Sequence, residues 1–207
     1  MQCDARVITP FLAQRSGAVY HSQVTATDLT LNQLPERLAE SGAELAEPAR
    51  TIVEDEFQAW RELHDRLIAL IAAFLDDAVE NGRPIADVLD SVVRRSSIGV
   101  TDLLGARIRP ETVAALLRAH GSVGTVSSEA GQTTFRHECG TGLKLWRQNP
   151  TMPVLDDGEV PGVPGGTTRY CARCIHTISH GFGDAWRVAP PTDPSGHCTW
   201  SVATAVS

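Results

Sequence analysis

Four cysteines in the last third of the chain constrain its fold more than any other feature. Cys171 and Cys174 form a Cys-x2-Cys pair, Cys139 lies 32 residues before that pair, and Cys198 lies 24 residues after it. A Cys-x2-Cys turn presents two thiolates to one metal ion, and two distant cysteines complete a tetrahedral set. The fifth cysteine, Cys3, stands alone. The sequence therefore predicts a metal site bound by Cys139, Cys171, Cys174 and Cys198.

The identity of the metal follows from the softness of the ligands. Four thiolates favour zinc, and an iron–sulfur cluster is the alternative. A c-type haem is excluded because Ile175 separates Cys174 from His176. A thioredoxin-like pair is disfavoured because no βαβ pattern surrounds Cys171. Buried cysteines that act only as small hydrophobic residues remain a further alternative, ranked below metal binding.

Residues 35–121 carry helical periodicity and predict a helical bundle. Pro48 fits the first turn of a helix that runs to about Glu80. Its apolar positions follow steps of three and four, as expected of a core helix; they are Val53, Phe57, Trp60, His64, Ile68, Ile71 and Leu75, widened by Leu63, Leu67 and Phe74. Pro84 and Pro110 begin two further helices. Residues 1–34 lack sustained periodicity and predict an arm or edge strands.

Residues 122–207 predict a small α+β part that packs on the bundle and carries the metal site. Its expected elements are a hairpin (122–128 and 132–138), a strand (142–146), a Gly/Pro-rich loop (148–168), a short helix (170–180) and two strands (186–189 and 198–203). The fold class is therefore α+β, with an N-terminal helical bundle followed by a small antiparallel sheet. Loss of one thiolate is expected to unfold this part and leave the bundle intact.

Four histidines are candidates for catalysis. His64 lies on the apolar face of the long helix, and His137, His176 and His180 lie among the metal cysteines. Each histidine alone is more often a structurally bonded residue, and one near the cysteines also competes as a metal ligand. A role in acid–base chemistry requires a pocket between the bundle and the cysteine-rich part.

Three segments resemble an uncharacterised bacterial family. They are Phe135–Leu145, Tyr170–Cys174 and Cys198–Trp200. That family joins an N-terminal helical region to a cysteine cluster with the segments Cys-Gly-Ser-Gly-x-Arg-Leu, Tyr-Cys-x-x-Cys and a final Cys-x-aromatic. This chain differs from it at Thr141 and Lys144. The resemblance implies the same four cysteines as ligands and lends no function.

Composition narrows the function classes. A net charge of −7 over 207 residues argues against nucleic acid as the main partner. No apolar run is long enough for a membrane span, and the first residues lack a signal-peptide pattern, so we expect a cytoplasmic protein. We expect a metalloenzyme of bacterial specialised metabolism that acts on a small molecule. The alternative is a binding or regulatory module with a purely structural zinc. A homodimer is left open.

Overall fold

The computed structural model describes residues 29–42, 46–104, 109–181 and 186–203. Most of the expected N-terminal arm, including Cys3, lies outside the described residues. The described residues form six helices and four strands, which confirms the α+β class. The elements are α1 (Leu34–Glu40), α2 (Glu47–Glu80), α3 (Ile85–Leu104), α4 (Pro110–Ala119), β1 (Val123–Glu129), β2 (Gln132–Glu138), α5 (Gly142–Gln148), α6 (Arg169–Gly181), β3 (Trp186–Ala189) and β4 (Cys198–Ala203).

The helices α2 and α4 begin near the prolines and end near the glycines that predicted their boundaries. Pro48 and Pro110 lie in the first turns of α2 and α4, where the missing N–H costs no hydrogen bond. Gly82 and Gly121 follow these helices with φ values of 83° and 69°, which an L side chain rarely adopts. The predicted helices therefore begin and end close to where the sequence placed them.

One predicted strand is wrong. The segment from Gly142 to Trp146, which alternates apolar and polar residues, forms the first part of helix α5. Leu143 and Trp146 are three residues apart and both buried, which is a helical spacing. Five residues are too few for alternation to distinguish a strand from one helical turn.

Helix α2 spans 34 residues and has two apolar faces. His64, Ile68, Ala72 and Leu75 are buried and face the rest of the protein. Four side chains that the sequence assigns to the core are instead 45–64% exposed; they are Trp60, predicted within the stripe, and Leu63, Leu67 and Phe74, predicted to widen it. Within the described ranges, no helix combines the length and the apolar composition needed to cross a membrane.

The four strands form one antiparallel sheet in the order β1-β2-β4-β3. The predicted hairpin pairs β1 with β2, and its turn contains Ala130 and Gly131 at positive φ. In the next pairing, His137 lies opposite Cys198 and Phe135 lies opposite Trp200. This register brings the ends of β2 and β4 together at the predicted metal site.

Two apolar clusters join the helical region to the cysteine-rich part. The first packs Val113 and Leu117 of α4 against Phe135, Trp186 and Trp200 of the sheet. The second joins side chains of α2, α3 and α6 with three side chains of the Gly/Pro-rich loop; its members include Leu75, Leu89, Leu155, Val160, Val163 and Ile175. The predicted loop is therefore anchored in the core, and α6 packs between the first helices and the sheet.

Candidate functional site

All four predicted metal cysteines line one small cavity of about 20 Å³. Cys139 follows β2, Cys171 and Cys174 lie one turn apart on α6, and Cys198 begins β4. All four are free thiols rather than disulfides. The structure thus brings together four cysteines that are up to 59 residues apart in the chain.

Two polar groups contact these sulfur atoms, and burial governs the pKa of three of the thiols. Trp200 Nε1 donates a hydrogen bond to Cys198 Sγ over 3.2 Å, and Thr141 Oγ1 lies 2.9 Å from Cys139 Sγ. Burial, assisted by the neighbouring cysteines, raises the pKa of Cys171 and Cys174 to about 12. Burial also raises the pKa of Cys198. A cation among the sulfurs would reverse this effect, because it stabilises thiolates directly.

Two local features position the Cys-x2-Cys pair. Cys171 lies in the first turn of α6, and its N–H donates to Thr168 Oγ1 over 3.3 Å. Gly142 packs so closely against the pair that a Cβ on it would lie 2.8 Å from Cys171 Sγ and 2.7 Å from Tyr170 Cδ1. Because the sheet is wholly antiparallel over the described residues, Cys171 is not part of a βαβ unit.

The sulfur atoms surround the cavity more loosely than bound ligands would. Among the described residues, no three of the cysteine sulfurs lie within 4.8 Å of one another. The three ligand atoms that do lie this close belong to Asp90, His176 and His180. A tetrahedral zinc–thiolate site places its sulfurs about 3.8 Å apart, given Zn–S bonds of about 2.3 Å. Rotation of cysteine side chains between rotamers is the movement that would close the set.

A larger cavity of about 390 Å³ adjoins the cysteines. It lies between the helices α2, α4 and α6 and the end of the sheet; its lining residues are Ile68, Ile71, Leu116, Leu117, His120, Ser122, Cys139, Thr141, Tyr170, Arg173, Cys174, Thr177, Ile178 and Trp200. Cys139 and Cys174 line both this cavity and the small one. Its volume lies within the range typical of small-molecule pockets.

Two residues that line this apolar cavity each have a side-chain atom without a hydrogen-bond partner, although Arg173 also donates through Nη2 to Tyr170 Oη over 3.5 Å. Arg173 Nε and Thr177 Oγ1 are buried and have no hydrogen-bond partner. The guanidinium carbon of Arg173 lies 5.0 Å from the centre of the Tyr170 ring, a cation–π contact. A buried polar atom without a partner costs about 1–3 kcal/mol. A ligand that hydrogen-bonds these atoms would recover that cost.

His64 lies within a chain of hydrogen bonds that ends in the large cavity. Its Nδ1 lies 3.2 Å from Asp65 Oδ1, and its Nε2 lies 2.8 Å from Nδ1 of His120. Lys144 donates to the other oxygen of Asp65. His64 itself is 4% exposed, whereas His120 lines the cavity. The inward orientation expected of His64 is confirmed, but His120 is the histidine that contacts the cavity.

The lowered pKa values of Asp65 and His120 indicate the direction of the hydrogen bonds between these side chains. Partial burial raises the pKa of Asp65, but hydrogen bonds from Lys144 and His64 lower it by more, so the net shift is downward. An ionised Asp65 accepts the Nδ1 hydrogen of His64, which leaves Nε2 to accept from His120. Burial, assisted by His64, Arg173 and Arg61, lowers the pKa of His120 to about 4. His120 is therefore neutral at pH 7, and its Nε2 carries a free electron pair.

His137 lies beside the cysteines but is not among the residues that line either cavity. It is completely buried, opposite Cys198, with its ring 6.0 Å from that of Trp200 in an edge-on arrangement. Neither ring nitrogen has a hydrogen-bond partner, and burial lowers the pKa of the ring to about 4. Its position fits a neighbour or substitute ligand of the cysteine site better than a residue that reaches substrate.

His176 and His180 lie away from the cysteines. They are one turn apart on α6 and face Asp90 of α3, with the two rings 4.1 Å apart. The sequence placed both histidines among the catalytic candidates beside the metal cysteines. The structure groups them instead with a carboxylate that the sequence did not indicate.

Sequence reasoning missed His120, Arg173 and Asp90. His120 immediately precedes the glycine that ends α4, a position that looks like a helix terminus and nothing more. Arg173 lies between Cys171 and Cys174, and the Cys-x2-Cys pattern assigns a role to the two cysteines only. The spacing of four between His176 and His180 on a predicted helix was a usable signal for a metal pair.

Comparison with known protein families, with curated proteins and with solved structures finds no match to this chain. Function must therefore be inferred from the geometry of the site.

Proposed function

We propose that the protein binds one zinc ion through Cys139, Cys171, Cys174 and Cys198 and a small molecule in the adjoining cavity. The observation that carries this proposal is that two of the four convergent cysteines form part of the wall of that cavity. The donor set fits the metal, because four thiolates suit zinc and none of the described residues that line the small cavity is a carboxylate. A four-thiolate zinc has no open position, so it would hold the wall in place rather than bind the ligand.

The ligand class follows from the lining of the larger cavity. Apolar side chains of α2, α4 and α6 form most of its surface, and Arg173 supplies a positive charge. An apolar molecule with one anionic group would place its body against these helices and its charge at Arg173. Thr177 would donate a further hydrogen bond.

Catalysis on this ligand is a second candidate, favoured by the Asp65–His64–His120 chain. A neutral His120 with an oriented ring offers an electron pair to a proton of a bound molecule, and Asp65 would stabilise the positive charge that spreads to His64. Because the pKa of His120 is about 4, this role requires an acidic proton on the ligand. In this proposal His120 is the catalytic residue, and His64 positions it. A non-enzymatic binding module with a structural zinc remains the competing proposal, favoured by the closed four-thiolate set.

The metal is tested by elemental analysis of protein purified without oxygen. We expect about one zinc per chain in the wild type, a large loss in Cys174→Ser and no change in the control Cys3→Ser. A brown protein that absorbs visible light would move the assignment to an iron–sulfur cluster. Wild-type protein with only traces of metal would overturn the proposal.

The cavity is tested with 8-anilinonaphthalene-1-sulfonate, an apolar anion that fluoresces when buried. Leu116→Trp fills the cavity and should abolish binding, whereas Leu63→Trp on the exposed face of α2 is the matched control and should leave it unchanged. Arg173→Met should weaken binding about tenfold, as expected for the loss of a charge-assisted contact of about 1.5 kcal/mol. Equal binding by all three variants would place the probe elsewhere.

A further inference from the structure

We infer that Asp90, His176 and His180 form a second metal site, which binds a divalent transition-metal ion on the face of α6 opposite the cysteines. His176 and His180 are separated by one helical turn, and Asp90 reaches them from α3. One ligand atom from each of the three side chains lies within 4.8 Å of the other two. One ion can therefore contact all three side chains after small movements.

The hydrogen bonds already orient the ligand atoms. His180 Nδ1 donates to the carbonyl oxygen of His176 over 2.8 Å, which leaves the Nε2 electron pair of His180 free for a metal. His176 Nε2 lies 2.8 Å from Asp90 Oδ1. A cation between them would replace the shared hydrogen and keep the same two atoms as ligands.

Burial gives this site a fixed half and an open half. The side chain of His176 is 7% exposed, so packing between α3 and α6 holds its ring in place. The side chain of Asp90 is 49% exposed, and His180 lies at the surface. An ion bound here would keep coordination positions toward solvent, available to water or to a small anion.

The ligand chemistry selects the class of ion. Two imidazole nitrogens and one carboxylate oxygen suit Zn²⁺, Ni²⁺, Cu²⁺ or Fe²⁺. They do not suit Ca²⁺ and Mg²⁺, because these ions prefer oxygen ligands alone. An ordinary ion pair between His176 and Asp90 accounts for one hydrogen bond, but it does not account for a second histidine one turn away that brings a ring nitrogen within 4.8 Å of the other two ligand atoms.

This site is independent of the proposed function, because none of its residues lines either cavity described above. The test therefore uses untagged protein as purified, with any metal of the cysteine site retained. Isothermal titration calorimetry with Ni²⁺ alone should show one ion bound per chain, in addition to the zinc found by elemental analysis.

Variants at the surface of the site make the test specific. His180→Ala and Asp90→Asn should each weaken Ni²⁺ binding by about tenfold or more, and both change side chains at the surface of the protein. His197→Ala removes a partly exposed histidine elsewhere and should leave the affinity unchanged. Nickel binding that is absent in the wild type, or equal in His180→Ala, Asp90→Asn and His197→Ala, would overturn the inference. Loss of zinc from Cys174→Ser with nickel binding retained would separate the two sites.

Discussion

His64 has two ring nitrogens, and both are occupied by hydrogen bonds, one to Asp65 and one to His120. This is the arrangement of a positioning residue, since its ring is buried and does not line the large cavity. Sequence periodicity alone could predict that His64 faces inward. It could not predict the partner, because His120 is 56 residues away and is brought near only by the packing of α4 against α2.

Replacement of His64 tests this positioning role. His64→Gln keeps one hydrogen bond and loses the other, so we expect the free energy of unfolding to fall by about 1–3 kcal/mol. Zinc content should not change, because His64 does not line the cysteine cavity. Chemical denaturation and elemental analysis measure the two quantities. His197→Gln, at a partly exposed position, is the control, and a fully stable His64→Gln would contradict the hydrogen-bond chain.

The low pKa of His120 predicts a loss of stability in acid. In the unfolded protein His120 binds a proton with a pKa near 6.5, whereas in the folded protein it binds one only near pH 4. The contribution of His120 to the free energy of unfolding is therefore fully present above pH 6.5. It falls by about 2–3 kcal/mol as the pH drops toward 4. The charged groups that face His120 in the fold are Arg61 and Arg173, together with His64 and its partner Asp65.

His120→Leu removes this contribution and isolates it from other acid effects. The free energy of unfolding of the variant should fall less between pH 6.5 and pH 4 than that of the wild type. Urea denaturation at several pH values measures the difference. Parallel curves for the two proteins would show that His120 titrates normally in the fold.

At the scale of elements, α5 shows where sequence patterns fail. The same five residues alternate like a strand and also place Leu143 and Trp146 on one helical face. The long helix was predictable because its period continues over many residues, and the hairpin was predictable because strand-forming residues lie on both sides of a turn that contains glycine. A segment of seven residues takes its conformation from its neighbours, here Tyr170 and Cys171 of α6.

Gly142→Ala tests the contact between α5 and α6. The added Cβ would lie 2.8 Å from Cys171 Sγ, closer than carbon and sulfur pack, so α5 or the cysteine must move. We expect a loss of about 1–3 kcal/mol in unfolding free energy and weaker retention of zinc against a chelator. Gly158→Ala, where a Cβ meets nothing within 4 Å but the backbone has φ +79°, should cost stability without loss of zinc.

At the scale of the whole molecule, the predicted boundary near residue 121 divides the sequence but not the core. Val113 and Leu117 pack on the sheet, and Leu155 and Val160 pack against the first helices. The change from helical to strand periodicity marks that boundary in the sequence. The shared clusters could not be predicted, because the pairing of distant apolar faces depends on the path of the connecting loop.

Removal of the metal should therefore weaken the entire fold in a single transition. The sequence alone led us to expect a bundle that survives metal loss, but both apolar clusters contain side chains from each part, and unfolding one part exposes the other. Binding at a thousand times its dissociation constant stabilises a fold by about 4 kcal/mol, so chelation should lower the melting temperature markedly. Helix content by far-ultraviolet circular dichroism and tryptophan fluorescence should then change at the same temperature. Helices that persist above the temperature at which the tryptophans become exposed would show instead that the bundle folds independently.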